Sequence, residues 1–165
     1  MIIRPENPRD IPEIQKLITA AFEGAPHSDG TEAAIVDALR AAGALTKSLV
    51  AELDGVIVGY VAFSLIEIDR QSVEWYGLGP IAVRPDQQRR GVGVQLIEAG
   101  LDQIKALSAR GCVVLGDPAY YCRFGFKTDS ALKFPGVPQE YFQRLDFGDD
   151  ELQGVVRYHS AFYGE

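Results

Sequence analysis

Cysteine is scarce in this sequence. Its two cysteines, Cys112 and Cys122, lie ten residues apart, and the first stands within an apolar run. They form neither a C-x-x-C pair nor a disulfide framework, which excludes disulfide-stapled folds and cysteine-based zinc modules. We predict no metal site.

Long apolar runs and an excess of basic residues are also missing. No stretch approaches the roughly 18 apolar residues of a membrane helix, and no secretory signal is recognisable. The chain carries 23 acidic residues against 16 Lys and Arg, for a formal net charge of -7. An acidic chain of this kind is a poor nucleic-acid binder. We therefore expect a cytoplasmic protein whose ligands are neither membrane nor nucleic acid.

The composition is that of one globular domain. The 165 residues are 47% hydrophobic and 24% charged, which is enough apolar material for a sizeable core and argues against disorder. No linker or internal repeat is visible. We predict a single domain over residues 1–165.

Hydrophobic periodicity predicts both strands and helices. Asp10 and Glu13 form a candidate capping box for the first helix, and Asp54-Gly55 is a strong hairpin turn between two strands. The predicted strands are residues 2–4, 48–53, 56–68, 73–83, 112–115, 141–147 and 152–158, and the predicted helices are 11–22, 32–41, 91–110 and 118–123.

Residues 80–93 are the most informative stretch. A short apolar strand, Ile81-Ala82-Val83, leads through a polar loop to Gly91 and Gly93, which open a periodic helix that Arg110-Gly111 would end. With the next strand this makes a βαβ unit with a parallel strand pair. The glycines leave the N–H groups of the first helical turn open, so the helix start is a candidate anion site. Arg84, Arg89 and Arg90 would add positive charge.

Two common phosphate-binding motifs do not fit. A dinucleotide fingerprint needs glycine where Leu96 stands and an acid where Gly111-Cys112 stands, and a P-loop needs Lys-Ser/Thr where Val94-Gln95 stands. Close packing of the helix start remains a simpler reading of Gly-x-Gly.

Two motifs resemble those of the GNAT superfamily of N-acetyltransferases. Gln88-Arg89-Arg90-Gly91-Val92-Gly93 is similar to the Q/R-x-x-G-x-G/A motif that holds the pyrophosphate of acetyl-CoA, and residues 120–126, YYCRFGF, resemble the Phe-Tyr-x-x-x-Gly-Phe segment after the fifth strand. The order β-α-α-β-β-β-α-β-α-β-β also matches. The resemblance implies an α/β GNAT fold, with a mixed twisted sheet of about seven strands flanked by about four helices.

The resemblance also implies a cofactor site and a catalytic acid. Tyr121 matches the tyrosine that protonates the leaving thiolate, with Tyr120 as its packing partner, although the two could exchange roles. An N–H near Ala82 would polarise the thioester carbonyl. Gly77-Leu78-Gly79-Pro80 is an unusual strand sequence that predicts a bulge, and in this superfamily the fourth and fifth strands splay apart to admit pantetheine. The cofactor-binding residues are then Ile81, Ala82, Val83, Gln88, Arg89, Arg90, Gly91, Val92, Gly93 and Val94.

The general base is less clear. Some members of the superfamily carry a strand glutamate where this chain has Gly77. Glu74 is the best of the nearby acids, with Glu67 and Asp69 as alternatives, and a solvated strand end is the simpler reading of all three. His27, in the loop between the first two helices, is a candidate for the acceptor site because its pKa lies near neutrality.

We expect an acetyl-CoA-dependent transfer to a primary amine of a small molecule or a peptide N-terminus, without a metal. A non-catalytic acyl-CoA-binding or sensor protein of the same fold is the alternative, favoured by Gly77 and opposed by Tyr121. A homodimer is left open.

Overall fold

Three long antiparallel strands form the centre of the sheet. In the computed structural model, which describes residues 1–26, 28–149 and 152–165, they are β2 (Lys47–Leu53), β3 (Val56–Ile68) and β4 (Gln71–Val83). Asp54 and Gly55 turn the first hairpin with φ of 51° and 81°. The predicted meander is confirmed.

The other strands extend this centre on both sides. The sheet order is β1-β2-β3-β4-β5-β7, and β8 pairs with β3 and with β6. β4 and β5 pair in parallel across α3, which confirms the predicted βαβ unit. The described residues form eight strands where about seven were expected, because β6 has only two residues and leaves no pattern in the sequence. The remaining elements are β1 (Ile2–Pro5), α1 (Ile11–Phe22), α2 (Glu32–Ala41), α3 (Val92–Ala106), β5 (Gly111–Leu115), α4 (Pro118–Tyr121), β6 (Leu132–Lys133), β7 (Phe142–Asp146), β8 (Gly154–Arg157) and a C-terminal 3-10 helix, Ser160–Tyr163.

The long strands bury both of their faces. Leu49 and Phe63 pack on the side of α3, whereas Val50 and Tyr60 pack on the side of α1 and α2. The strands are therefore apolar on both faces, as their continuous apolar runs predict. α3 lies close to the sheet at Gly100. The absence of a side chain allows this approach, because a Cβ at Gly100 would overlap the Phe63 ring.

The end of α3 differs from the prediction. The helix ends at Ala106, and Ser108 turns the chain with φ of 66°. Gly111, predicted to end the helix, is instead the first residue of β5. Its lack of a side chain has a packing reason, because a Cβ there would overlap the Trp75 indole.

The predicted capping box at Asp10 is replaced by an ion pair. The Asp10 carboxylate is buried, accepts hydrogen bonds from the Arg4 guanidinium at 2.7 and 3.1 Å, and accepts a third from the Asn7 N–H at 2.6 Å. The Arg4 hydrogen bond lowers the pKa of Asp10 below the ordinary aspartate value, and burial opposes this shift. Asp10 thus ties β1 to the start of α1. Within the described residues, no helix combines the length and apolar character needed to cross a bilayer.

We expect Asp10→Asn to lower the free energy of unfolding by about 1–2 kcal/mol at pH 7, because it removes a charge-assisted pair from a buried site. A lowered folded-state pKa stabilises the fold above the pKa of unfolded aspartate, near 3.9, and this stabilisation is lost as pH falls through the folded-state value. Urea titrations should therefore show the two proteins converging in stability below about pH 4.

Glu13→Gln serves as the matched control, since Glu13 is exposed and forms an ion pair with the exposed Lys16 at 3.3 Å. Its effect should stay under about 0.5 kcal/mol. A difference in the free energy of unfolding between Asp10→Asn and the parent that does not change with pH would contradict the ion-pair assignment.

Candidate active site

β4 carries a bulge where the sequence predicts one. Ile81 pairs with Val61 and Leu78 pairs with Phe63, so three steps along β4 (81 to 78) oppose two along β3 (61 to 63). The extra residue falls at Gly79-Pro80, where Gly79 has φ of 137°, a conformation that favours glycine. Pro80 lacks the N–H that a regular ladder would use. The predicted bulge is thus present at the predicted residues.

β4 and β5 separate at this bulge. Their parallel pairing runs from Trp75 opposite Gly111 to Leu78 opposite Val114 and ends there. Beyond the bulge, β4 continues along β3 alone, as far as Val83. The edge of β4 that faces away from β3 is therefore open between residues 81 and 83.

The ladder direction identifies which amides face this opening. The Arg84 N–H donates to the Val58 carbonyl of β3 at 2.8 Å. Because the N–H groups of a strand alternate in direction, the Ala82 N–H also points to β3, and those of Ile81 and Val83 point to the open edge. The Gln88 amide confirms this orientation, because it donates to the outward Val83 carbonyl at 3.1 Å. Of the amides near Ala82, where a donor is expected, those of Ile81 and Val83 therefore face the opening and that of Ala82 does not.

The loop before α3 is shaped to receive an anion. Arg89 and Gly91 adopt positive φ of 64° and 85° on either side of Arg90. Such alternation of φ turns successive N–H groups toward one side and forms a concave anion site. Gly91 is the N-cap residue of α3, whose first-turn N–H groups have no partner within the helix.

A cleft of about 520 Å³, which we call the α3 cleft, connects this loop to the open edge of β4. Most of the cofactor residues assigned from sequence contribute to it, but two do not. The Ala82 side chain is buried against α1, and Arg90 is exposed outside the lining. The lining consists of Ile81, Val83, Gln87, Gln88, Arg89, Gly91, Val92, Gly93, Val94, Tyr120, Tyr121 and Arg123.

The cations of the α3 cleft differ from those expected. Arg84 pairs with Asp86 at 2.6 Å and lies outside the lining. Arg123, which the sequence did not indicate, lies over the Tyr120 ring at 4.4 Å and donates from Nε to the Tyr120 carbonyl at 2.9 Å. The i, i+3 spacing from Tyr120 in a short helical segment is the sequence pattern that could have shown it.

The two tyrosines occupy different parts of the α3 cleft. Their rings meet edge to face with centroids 4.9 Å apart. The Tyr120 hydroxyl lies beside Gly93, where a Cβ would approach it to 3.0 Å. Tyr121 is only 8% exposed, and burial, with smaller effects of Tyr120 and Cys112, raises the pKa of its hydroxyl well above the ordinary phenol value. Tyr121 therefore stays protonated at neutral pH.

A second cavity of about 440 Å³, the C-terminal pocket, meets the α3 cleft. Ile81 and Tyr121 line both. Among the described residues that line the C-terminal pocket, Glu32 is the one carboxylate, and none is Lys, Arg or His. Its lining residues are Phe22, Glu32, Ile35, Leu78, Gly79, Pro80, Ile81, Leu115, Tyr121, Phe134, Tyr158, Phe162 and Tyr163.

The acids predicted near the site lie elsewhere. A Cβ on Gly77 would approach the Tyr158 ring to 2.6 Å, so Tyr158 fills the place of the strand glutamate. Glu74 is exposed, and its carbonyl accepts a hydrogen bond from the Arg110 N–H just before β5 begins, so Glu74 lies toward the opposite end of β4 from Ile81. Glu67 pairs with Ser72 near the same turn, and Asp69 accepts from the Val155 N–H. Position therefore argues against Glu74 as the base.

Two further expectations concern ligands of the site. His27 lies outside the described residues, so its place in the acceptor site stays a prediction. Among the described residues, no group of three or more His, Cys, Asp or Glu is arranged to hold a metal ion.

Comparison with known proteins assigns the family. Residues 45–128 match the family model described as the acetyltransferase (GNAT) domain. The chain belongs to the GNAT family of acetyltransferases. It is 40% identical to an uncharacterized N-acetyltransferase, YhbS, of Escherichia coli K12 over 98% of both chains.

Solved structures of GNAT proteins share the whole fold. A GNAT family acetyltransferase from Brucella melitensis in complex with acetyl-CoA is 50% identical, with a TM-score of 0.88 over 98% of this chain and 97% of that one. The structure of Escherichia coli YhbS in complex with CoA is 36% identical, with a TM-score of 0.90 over 98% of this chain and 91% of that one.

Proposed function

We propose that this GNAT protein is a cytoplasmic N-acetyltransferase that moves the acetyl group of acetyl-CoA directly to a primary amine of a small molecule or a peptide N-terminus. The observation that carries the proposal is the meeting of the α3 cleft and the C-terminal pocket at Ile81 and Tyr121. Two substrates bound in these cavities would touch there, as direct transfer requires. The complexes of similar GNAT proteins with acetyl-CoA and CoA support the choice of acyl donor.

The start of α3 would hold the pyrophosphate. Gly91 and Gly93 leave the first-turn N–H groups accessible, and α3 is 15 residues long, so its dipole favours an anion there. Arg89 and Arg123 line the cleft and add positive charge in a chain whose net charge is -7. This part of the site supplies affinity and takes no part in the chemistry.

The open edge of β4 would hold the pantetheine arm and the thioester. The Ile81 and Val83 backbones offer donors and acceptors that β3 does not use. Ile81 is the nearest donor to the bulge, because Pro80 has none, and it lines both cavities. We therefore assign the Ile81 N–H as the oxyanion donor that stabilises the tetrahedral intermediate.

Transfer then needs one bond made and one broken. The amine nitrogen attacks the thioester carbonyl carbon, the C–N bond forms, and the C–S bond breaks when the intermediate collapses. Tyr121 gives its hydroxyl proton to the departing thiolate, which leaves as CoA thiol, and the proton that the amide nitrogen loses returns Tyr121 to its neutral form through water. The raised pKa of Tyr121 ensures that the proton is present throughout the working pH range.

The proton of the attacking amine would leave through water. Tyr158 covers Gly77, and Glu74 is at the far end of β4, so neither position supplies a fixed base beside Ile81. An acceptor must then lose its proton to solvent before attack. The rate should rise with pH until the amine itself is neutral.

The absence of a carboxylate at Gly77 is also what a non-catalytic acyl-CoA-binding protein would show. Thiol release from acetyl-CoA across a panel of amines, polyamines, amino acids and peptide N-termini separates the two functions. Release that depends on an amine supports the transferase. Tight CoA binding with no release from any member would favour the binding protein.

The first prediction for this function concerns Gly93. Its φ is ordinary, so valine is allowed by the backbone, but a side chain would stand in the α3 cleft against the Tyr120 hydroxyl and within 3.7 Å of Val83. Gly93→Val should weaken acetyl-CoA binding by about 2 kcal/mol, roughly 30-fold in Kd by titration calorimetry.

Gly148→Val is the matched control for this experiment. A Cβ at Gly148 meets nothing within 4 Å, and its φ is not positive, so acetyl-CoA binding should match the parent. A folded Gly93→Val protein that binds acetyl-CoA as tightly as Gly148→Val would rule out the proposed pyrophosphate seat.

The second prediction separates the two tyrosines. Tyr121→Phe keeps the buried ring and removes the proposed donor, so kcat should fall by roughly 100-fold or more while the Kd for acetyl-CoA stays within about twofold. Tyr120→Phe should lower kcat far less, because its hydroxyl lies at Gly93.

The pH profile provides a further check on the same pair. The rates of the parent and of Tyr121→Phe should rise with pH in parallel, because the raised pKa of Tyr121 keeps its ionisation outside the pH range of the measurement. Normal turnover by Tyr121→Phe would show that the acid is another group or that none is needed.

A further inference from the structure

The walls of the C-terminal pocket come from parts of the chain that are distant in sequence. Phe22 and Ile35 come from the first two helices, Pro80 from the bulge, and Phe134 and Phe162 from the region after β5. The Tyr158 ring packs between those of Phe134 and Phe162, with centroid distances of 5.2 Å and 5.0 Å respectively. A flat apolar group would replace water favourably against such a wall.

The charge of the C-terminal pocket has one sign. Glu32 begins α2, is half-buried, and its Oε1 accepts a hydrogen bond from the Ser28 hydroxyl at 2.7 Å. Among the described residues no ion pair engages Glu32, and the lining contains no cation that could balance it. A carboxylate in a largely apolar cavity attracts a cation more strongly than one in water. The same cavity disfavours a ligand that brings a second carboxylate.

The neighbourhood of Glu32 strengthens this preference. Asp29 lies in the adjoining loop, and the hydrogen bond from the Thr31 hydroxyl, with that from the Thr31 N–H, lowers its pKa. Asp29 lines the cavities that border the C-terminal pocket at Glu32 and at Ile35. The approach to the C-terminal pocket is thus negative as well.

We infer that the acceptor is a small cationic primary amine with an aromatic or bulky apolar body and no carboxylate, and that Glu32 is the residue that selects its positive charge. This inference rests on the proposed transferase function and names the substrate class of the same site. The apolar body would lie against Phe134, Tyr158 and Phe162. Glu32 would attract the ammonium form, and the amine would reach the thioester between Ile81 and Tyr121 after it has lost its proton to solvent. Glu32 would act on binding, as a specificity residue, and not on the transfer step.

Matched pairs of acceptors test the class directly. Tyramine and tyrosine share one ring and differ by the carboxylate, and tryptamine and tryptophan form a second such pair. We expect kcat/KM for each amine to exceed that of its amino acid by at least about tenfold, and to exceed that of propylamine or spermidine. Preference for an amino acid, or for spermidine, would overturn the inference while leaving the transferase function intact.

Variants of Glu32 test the assigned residue. Glu32→Gln should raise the KM for tyramine roughly five- to tenfold, leave kcat and the KM for acetyl-CoA within about twofold, and narrow the preference for tyramine over tyrosine. Glu32→Asp, which keeps the charge, should recover part of the loss. Glu98→Gln, an exposed change on α3, should behave as the parent.

The outcomes separate the two claims. A fall in kcat with unchanged KM in Glu32→Gln would overturn the specificity role and indicate a base. If a folded Glu32→Gln protein keeps the preference for tyramine over tyrosine, then a residue other than Glu32 selects the charge of the acceptor. No thiol release with any amine would overturn the transferase function, and this inference with it.

Discussion

The site depends on a single break in strand pairing. A strand in the middle of a sheet normally uses every N–H and C=O on both edges, because buried backbone groups left unpaired are costly. Gly79-Pro80 makes this impossible for β4, since the bulge ends the pairing with β5 at Leu78. The next two outward amides, those of Ile81 and Val83, then face an opening. A ligand that offers amide and carbonyl groups can form hydrogen bonds with the part of β4 that β5 leaves unpaired.

The rest of the fold holds this opening in place. β3 pairs with β4 on both sides of the bulge, so the strand keeps its direction although β5 has left it. α3 packs closely on the sheet through Gly100, which aligns the start of the helix with the end of β4. The segment with Tyr121 follows directly after β5 and brings the hydroxyl to the point where the strands part. The open edge, the proposed anion seat and the proposed acid thus come from β4, α3 and α4, with β5 between the last two.

Much of this arrangement could be predicted from local pattern. The meander, the hairpin turn at Asp54-Gly55, the βαβ unit and the bulge each depend on residues close together in the chain. The direction of the β4 amides could not be predicted, because it depends on the register with β3. The local pattern therefore places the donor only near Ala82, whereas the register shows that the Ile81 and Val83 amides are the ones that face the opening.

The acceptor side was the least predictable part of the site. Its walls combine residues from 22 to 163, and no local spacing indicates that Glu32 and Phe162 line one cavity. Glu74 was favoured as the best of the acids near the turn before β4, but it lies toward the opposite end of β4 from Ile81. Arg110-Gly111 has the composition of a helix end, yet Gly111 is required by its packing on Trp75. In each case the position of the residue depends on how distant parts of the chain fold together, which the local sequence pattern does not contain.

The most direct test is to follow the amides of residues 81 to 83 by nitrogen-15 NMR during titration with acetyl-CoA. Ala82 should exchange slowly with solvent in the free protein and change little, because its N–H already bonds to β3. Ile81 and Val83 should shift and become protected from exchange as acetyl-CoA binds. Protection of Ala82 on binding, with Ile81 and Val83 unaffected, would contradict the open edge as the donor site.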